Sequence, residues 1–130
     1  MGLTIVDFKG RYKARSISEF EDVLQRRYGP DANGFWISHD NESIPVISLL
    51  VKGDLSCIHY FPYDGHPGFA SVGRANGLDR DDCTTFRFET VEQEQEIWNY
   101  QVIHLENAMA AAKEFFESKE LPKSIEWKEL

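Results

Sequence analysis

Two histidines and an aspartate near the middle of the chain are the best candidates for metal ligands. His59 and His66 flank Asp64, and imidazole with carboxylate is a ligand set that suits zinc. Their spacing matches no established zinc motif, and Pro62 and Pro67 give the segment the character of a rigid turn. We therefore expect this chain to hold no metal and no cofactor.

Two further pairs have the residue types of a hydrolytic enzyme. His39 and Asp40 could act as a general base and its orienting carboxylate, but adjacent residues in a strand point to opposite faces. Cys57 and His59 are two apart, so a strand would place both on one face and leave a cysteine–histidine nucleophile open. The apolar surroundings of Cys57 favour a buried, protonated thiol instead. The sequence also lacks the P-loop, dinucleotide, GxSxG and HExxH motifs.

The run VEQEQEIWNY (91–100) has the composition of a protein-binding surface. In a strand, Glu94, Glu96 and Trp98 share one face, Glu92 precedes them and Tyr100 follows. Like charges placed side by side repel one another, which favours a solvated surface or one that meets a cationic partner. Aromatic residues are enriched in binding hot spots, although a half-buried Trp98 in the core fits the same spacing.

Net charge excludes some functions. The 130 residues carry 14 Lys and Arg against 22 Asp and Glu, a net charge of −8. This argues against a protein that binds nucleic acid or a membrane surface by electrostatic attraction. Residues 1–88 have 10 basic and 12 acidic side chains, and residues 89–130 have 4 and 10. The acidic last third fits either a solvated surface or a docking face for a basic partner.

Length and composition predict one globular domain over residues 1–130. No apolar run is long enough to span a bilayer, and the N-terminal residues do not have the pattern of a signal peptide. We interpret Cys57 and Cys83 as reduced thiols and expect a cytoplasmic protein.

Periodicity predicts an α+β fold. Ser16 and Glu19 have capping-box spacing at the start of a helix that ends at Gly29. An apolar stripe from Leu105 to Phe116 predicts a second helix. Strand patterns cover 3–8, 34–40, 45–51, 54–62, 68–72, 84–89, 94–102 and the C-terminal tail. A loop is expected at 74–83, and the apolar run 45–51 predicts a central strand covered on both faces. We expect an antiparallel sheet of about six strands with two helices packed on it.

Three blocks of sequence follow one another in an informative order: GFWISHD (34–40), DLSCIHYFPYDGHPGFASVG (54–73) and AAAKEFFESKELPKSIEWKEL (110–130). In this order they resemble the type-one immunity protein family of bacterial polymorphic toxin systems. The resemblance spans most of the chain and is loosest over 74–102. One departure is His104, which stands where the family often has a proline at the start of the last helix.

The resemblance implies an intracellular protein that binds a cognate protein toxin and occludes it by stoichiometric protein–protein interaction. Such toxins are frequently nucleic-acid deaminases or nucleases. The resemblance also implies that the chain has no catalytic residues of its own. An acidic inhibitor would then be complementary to the basic substrate groove of its toxin. We expect no direct contact with nucleic acid and no membrane association.

Residues of the recurrent family pattern are expected to be scaffold, because family members meet diverse toxins: His59, Tyr60, Phe61, Gly68, Glu126 and Trp127. The toxin-binding face is expected in the loosely matching segment and its surroundings. Its candidate residues are Asp79, Asp81, Asp82, Glu92, Glu94, Glu96 and Trp98.

Two other classes of function remain open. One is a small metal-dependent or hydrolytic enzyme with a site among His39, Asp40, His59, Asp64 and His66. The other is a small-ligand binding module that uses the aromatic residues Phe35, Trp36, Tyr60 and Tyr63. A deep apolar pocket would favour the ligand module, whereas an exposed acidic face would favour the inhibitor.

Overall fold

Residues 2–74 and 76–130, which the computed structural model describes, form two helices and ten strands. The helices are α1 (Ile17–Leu24) and α2 (Leu105–Ser118). The strands are β1 (Leu3–Val6), β2 (Arg11–Ala14), β3 (Ala32–His39), β4 (Val46–Lys52), β5 (Leu55–Phe61), β6 (Phe69–Ser71), β7 (Cys83–Arg87), β8 (Glu94–Trp98), β9 (Ile103–His104) and β10 (Trp127–Glu129).

The strands form one large antiparallel sheet and a separate hairpin. The order in the large sheet is β10-β6-β5-β4-β3-β1-β2, and β9 pairs with the start of β5. β7 and β8 pair only with each other. The α+β class and the two helices are confirmed, but the expectation of about six strands is wrong for the described residues. β2 (RYKA) and the two-residue β9 were missed because neither is long or apolar enough to show a strand period.

Helix α1 begins as its cap predicts and ends earlier than expected. The backbone N–H of Glu19 donates to Ser16 Oγ at 3.2 Å, which satisfies one of the free donors of the first turn. The helix ends at Leu24, not at Gly29. The guanidinium of Arg27 donates to the Leu24 carbonyl at 2.6 Å and so satisfies an acceptor that a longer helix would have used.

One face of the large sheet and both helices enclose the main core. Ile5, Ile37, Ile47 and Tyr60 occupy paired positions of β1, β3, β4 and β5, and they pack in one cluster with the buried side of α2. Phe115 of α2 is fully buried there.

The hairpin covers part of the opposite face of the sheet. Leu50 of β4 and Cys57 of β5 pack there against Phe86 of β7 and Ile97 of β8. β4 is therefore buried on both faces, as its apolar sequence predicts. Within the described residues, the two helices are too short or too polar to serve as membrane spans.

Candidate protein-binding face

The β7–β8 hairpin separates apolar and acidic residues onto its two sides. Ile97 is 8% exposed and faces the sheet, whereas Glu94, Glu96 and Trp98 are exposed. The strand predicted over 94–102 ends at Trp98, where a 3-10 turn (Asn99–Gln101) follows, and the predicted alternation holds only in part because Gln95 is exposed as well. In β7, Thr85 pairs with Glu96 and Arg87 pairs with Glu94, so the outer side of the hairpin continues across both strands.

An exposed aromatic pair lies at one end of this outer side. Trp98 is 48% exposed, and its ring stacks on Tyr100 with centroids 6.0 Å apart and planes 16° from parallel. The Arg80 guanidinium lies 5.9 Å from the centre of the Tyr100 ring. Trp98 belongs to neither buried cluster, so it is a surface residue about half of which is covered, and not a core residue.

Hydrogen bonds hold the 79–82 loop beside these aromatic rings. The Asn99 side-chain amide donates to the Asp79 carbonyl at 2.7 Å, and the Asn99 N–H donates to the Asp82 carbonyl at 2.9 Å. Asp79, Asp81 and Asp82 are all exposed. The fold therefore brings them to the end of β8 at which Trp98 lies.

We call this region the acidic hairpin face: Asp79, Asp81, Asp82, Glu92, Glu94, Glu96, Trp98 and Tyr100. Residues 79–98 include seven acidic and two basic side chains, and one of the basic ones, Arg87, lies 3.9 Å from a Glu94 oxygen. Nearby carboxylates also act on the Cys83 thiol. Its pKa is raised, first by loss of solvent and then by Glu96 and Asp82.

The hydrolytic pair proposed at His39 and Asp40 is not assembled. His39 is buried, and its Nε2–H donates to the Phe115 carbonyl at 2.9 Å. Asp40 instead accepts hydrogen bonds from Thr4 Oγ1 at 2.8 Å and Lys13 Nζ at 3.0 Å. His39 therefore fixes helix α2 to the sheet and is closed to a substrate.

The two histidines of the candidate metal site lie on different faces of the sheet. His59 stacks on Phe61, on the face that carries the hairpin, whereas His66 stacks on Phe69 beside the main core. The Nε2–H of His66 donates to Glu129 at 2.8 Å, and its Nδ1 accepts from the Gly68 N–H at 2.8 Å. Within residues 2–74 and 76–130, no three His, Cys, Asp or Glu side chains are grouped as metal ligands.

Cys57 and His59 do share a face, with Sγ and Nδ1 3.7 Å apart. Burial raises the pKa of the Cys57 thiol to about 12 and lowers that of His59. The thiol is therefore protonated and shielded at neutral pH, which matches the expected core cysteine and excludes a nucleophile.

The four aromatic residues considered for a ligand site are dispersed. Phe35 and Tyr60 belong to the main core, Trp36 lies on the opposite face of the sheet, and Tyr63 is 62% exposed. Phe35 and Trp36 line one cleft, Tyr60 lines a separate open groove, and Tyr63 lines neither.

The recurrent family positions make internal contacts. Tyr60 packs on Phe115 and donates from its hydroxyl to the Lys119 carbonyl at 3.1 Å. The Trp127 indole N–H donates to the Pro122 carbonyl at 2.6 Å. Gly68 has φ +101°, and a Cβ there would lie 2.7 Å from the Phe61 ring.

Glu126 links two loops of the chain. Its carboxylate binds Arg74 through two hydrogen bonds of 2.7 Å, and these lower the pKa of Glu126. With the internal contacts of the preceding positions, this geometry fits a scaffold role, which stays a prediction.

Sequence reasoning missed two features of this side of the molecule. Arg80 lies near the Tyr100 ring, and the pairing of β7 with β8 together with the hydrogen bonds of Asn99 brings their segments together. Phe88, which follows β7, packs its ring edge against Trp36, with centroids 6.1 Å apart. The one available signal was that Phe88 is a large aromatic residue between Arg87 and Glu89.

Comparison with known proteins identifies the family of the chain. The family model described as immunity protein Imm1 matches residues 9–129. The chain is also similar to the double-stranded DNA deaminase immunity protein of Burkholderia cenocepacia (strain H111). The identity is 26% over 126 residues, which cover 95% of this chain and 97% of that protein. These matches confirm the resemblance in the sequence and imply a non-enzymatic inhibitor. The chain belongs to the Imm1 immunity protein family.

Proposed function

We propose that this immunity protein binds and occludes a deaminase toxin that acts on nucleic acid, using the acidic hairpin face. The observation that carries the proposal is the similarity to a DNA deaminase immunity protein along nearly the whole chain. The exposed carboxylates and the Trp98–Tyr100 pair give that similarity a physical route to inhibition.

Charge complementarity supports the choice of this face. An enzyme that acts on nucleic acid carries Lys and Arg that contact phosphates. The carboxylates of Asp81, Asp82 and Glu96 are exposed and free to meet such cations. Opposite charges accelerate encounter with the correct partner, so capture is fast and the toxin's substrate groove is covered.

The exposed aromatic residues supply the lasting contact. Trp98 presents a large ring that is held in place by stacking on Tyr100, so little side-chain freedom is lost when it is covered. Interface centres are enriched in Trp and Tyr because these rings bury much area. In this scheme the carboxylates set the association rate and Trp98 slows dissociation, within the cytoplasm of the cell that makes the protein.

Co-expression tests the proposal. A candidate cognate deaminase toxin domain is induced in bacterial cells, with and without this protein, and survival and base changes in cellular DNA are measured. An inactive toxin variant is the matched control for expression burden. We expect the protein to restore survival and to return base changes to background. If cells that express the toxin die although this protein is well expressed and folded, the proposal is overturned.

A further inference from the structure

The hairpin leaves part of the second sheet face open, and a cleft lies at that boundary. Its volume is about 240 Å³. The cleft lies where β1, β3 and β4 meet the residues that follow β7. Its side walls are apolar and aromatic, with one small polar residue, and are formed by Val6, Trp36, Ser48, Leu50 and Phe88.

The aromatic walls of the cleft are preorganised. Trp36 contacts Phe88 edge to face, with ring centroids 6.1 Å apart and planes at 72°, and it also packs beside Phe61 at 6.2 Å. Val6, at the edge of the cleft, is 38% exposed, which is unusual for a large apolar residue of this chain. The walls are held by the chain itself, so binding there requires little ordering.

Two carboxylates give the cleft a negative charge. Asp7 is 7% exposed and accepts four hydrogen bonds: from the N–H groups of Lys9 at 2.9 Å and Gly10 at 3.0 Å, from Asn33 Nδ2 at 3.1 Å and from the Tyr28 hydroxyl at 3.2 Å. Glu89 is exposed and also lines the cleft. None of the ion pairs within residues 2–74 and 76–130 includes either carboxylate.

We propose that this cleft receives one arginine side chain of the partner protein. Small-molecule sites occupy about 300–1,000 Å³, so the cleft is below that range but large enough for a single side chain. Aromatic walls with carboxylates beside them are complementary to a guanidinium, which stacks on rings and donates to Glu89, while Asp7, whose oxygens already accept four hydrogen bonds, contributes its charge. Lysine fits less well, because its ammonium is a compact, strongly hydrated point charge.

The identity of the partner rests on the proposed function. A toxin that binds nucleic acid displays arginines for phosphate contacts, and an arginine held in this cleft is withdrawn from that role. Through Phe88 and Glu89 the cleft adjoins Arg87, which pairs with Glu94 of the acidic hairpin face. The partner would therefore contact both the outer side of the hairpin and the cleft that lies beside the turn between β7 and β8.

Titration with an isolated probe tests the cleft without a toxin. N-acetyl-arginine amide is added to the isotope-labelled protein, and the indole N–H signals of the three tryptophans are followed by NMR. N-acetyl-citrulline amide, which has nearly the same shape without the charge, is the matched control. We expect saturable shifts at Trp36 with the arginine probe, smaller shifts with the lysine analogue, and no shift at Trp127. Equal shifts with arginine and citrulline, or none at Trp36, would overturn the proposal.

Two variants with matched controls locate the binding. Ser48→Leu on β4 fills the cleft, whereas Ser38→Leu on β3 adds the same atoms on the same face of the sheet outside it. Only Ser48→Leu is expected to abolish the Trp36 shift. Glu89→Gln is expected to weaken arginine binding about fivefold, as loss of one charge at contact distance in water predicts, whereas Glu117→Gln on α2 leaves it unchanged. Equal effects within either pair would contradict the assignment.

A toxin-binding measurement separates this inference from the proposed function. If Ser48→Leu, shown to be folded by its thermal transition, binds the toxin domain as tightly as Ser38→Leu, the cleft has no part in binding and the inference is overturned while inhibition stands. If the wild-type protein does not bind the toxin, the proposed partner is wrong, and the arginine titration still decides whether the cleft accepts a guanidinium.

Discussion

Charge reversal on the acidic hairpin face is expected to slow capture of the toxin selectively. The variant carries Asp81→Lys, Asp82→Lys, Glu94→Lys and Glu96→Lys, and it removes the whole net charge of −8. In water, two unit charges about 10 Å apart attract one another by about 0.4 kcal/mol, and 0.1 M salt reduces this about threefold. Reversal of four carboxylates opposite one toxin cation therefore slows association about eightfold at 0.1 M salt, and more at lower salt.

Stopped-flow fluorescence gives the association rate at several salt concentrations. The matched control reverses Asp22, Glu106 and Glu117 on the helices and Glu120 just beyond the end of α2, all of them exposed. The helices lie across the sheet from the hairpin. Both variants have the same net charge, so a change confined to the hairpin variant isolates the local effect. The salt dependence should flatten or invert in the hairpin variant and remain in the control. Equal association rates for the two variants, with both folded, would refute the reasoning.

Three further outcomes follow from the contacts. Trp98→Ala should raise the Kd for the toxin about tenfold or more, as for an interface hot spot, and leave the Tm nearly unchanged because the ring is 48% exposed; an unchanged Kd would exclude Trp98 from the interface. Iodoacetamide at pH 8 should label Cys83 slowly and Cys57 only in denaturant, since the pKa of Cys57 is about 12. Labelling is located by mass spectrometry, and label on Cys57 of the native protein would contradict this expectation. Arg74 lowers the pKa of Glu126, so their ion pair stabilises the fold above pH 4.5 and no longer does so once the pH falls below the lowered pKa. The difference in Tm between the wild-type protein and Glu126→Gln should therefore close on acidification. A difference in Tm that is independent of pH would argue against the ion pair.

Local periodicity predicted part of the hairpin face. In β8 the exposure of Glu94, Glu96 and Trp98 follows directly from the two-residue repeat of a strand. The same rule placed Cys57 and His59 on one face. Prediction of sides succeeds here because strand geometry depends only on neighbours in sequence.

Contacts between distant segments were beyond that reasoning. His39 meets the carbonyl of Phe115, 76 residues away, and His66 meets Glu129, 63 residues away. Histidine is a residue type that suits catalysis, and only the packed fold shows that these two side chains already form hydrogen bonds within the protein. The short polar strand β2 was missed for a related reason, because its pairing with β1 and not its composition makes it a strand.

Titration of deaminase activity tests the central claim most directly. The purified toxin domain is mixed with increasing amounts of this protein, and deamination of its nucleic-acid substrate is measured after the complex has formed. Stoichiometric occlusion predicts a linear fall in activity that reaches zero at one equivalent, with the hairpin variant requiring an excess. Full deaminase activity in the presence of excess folded protein would contradict the account.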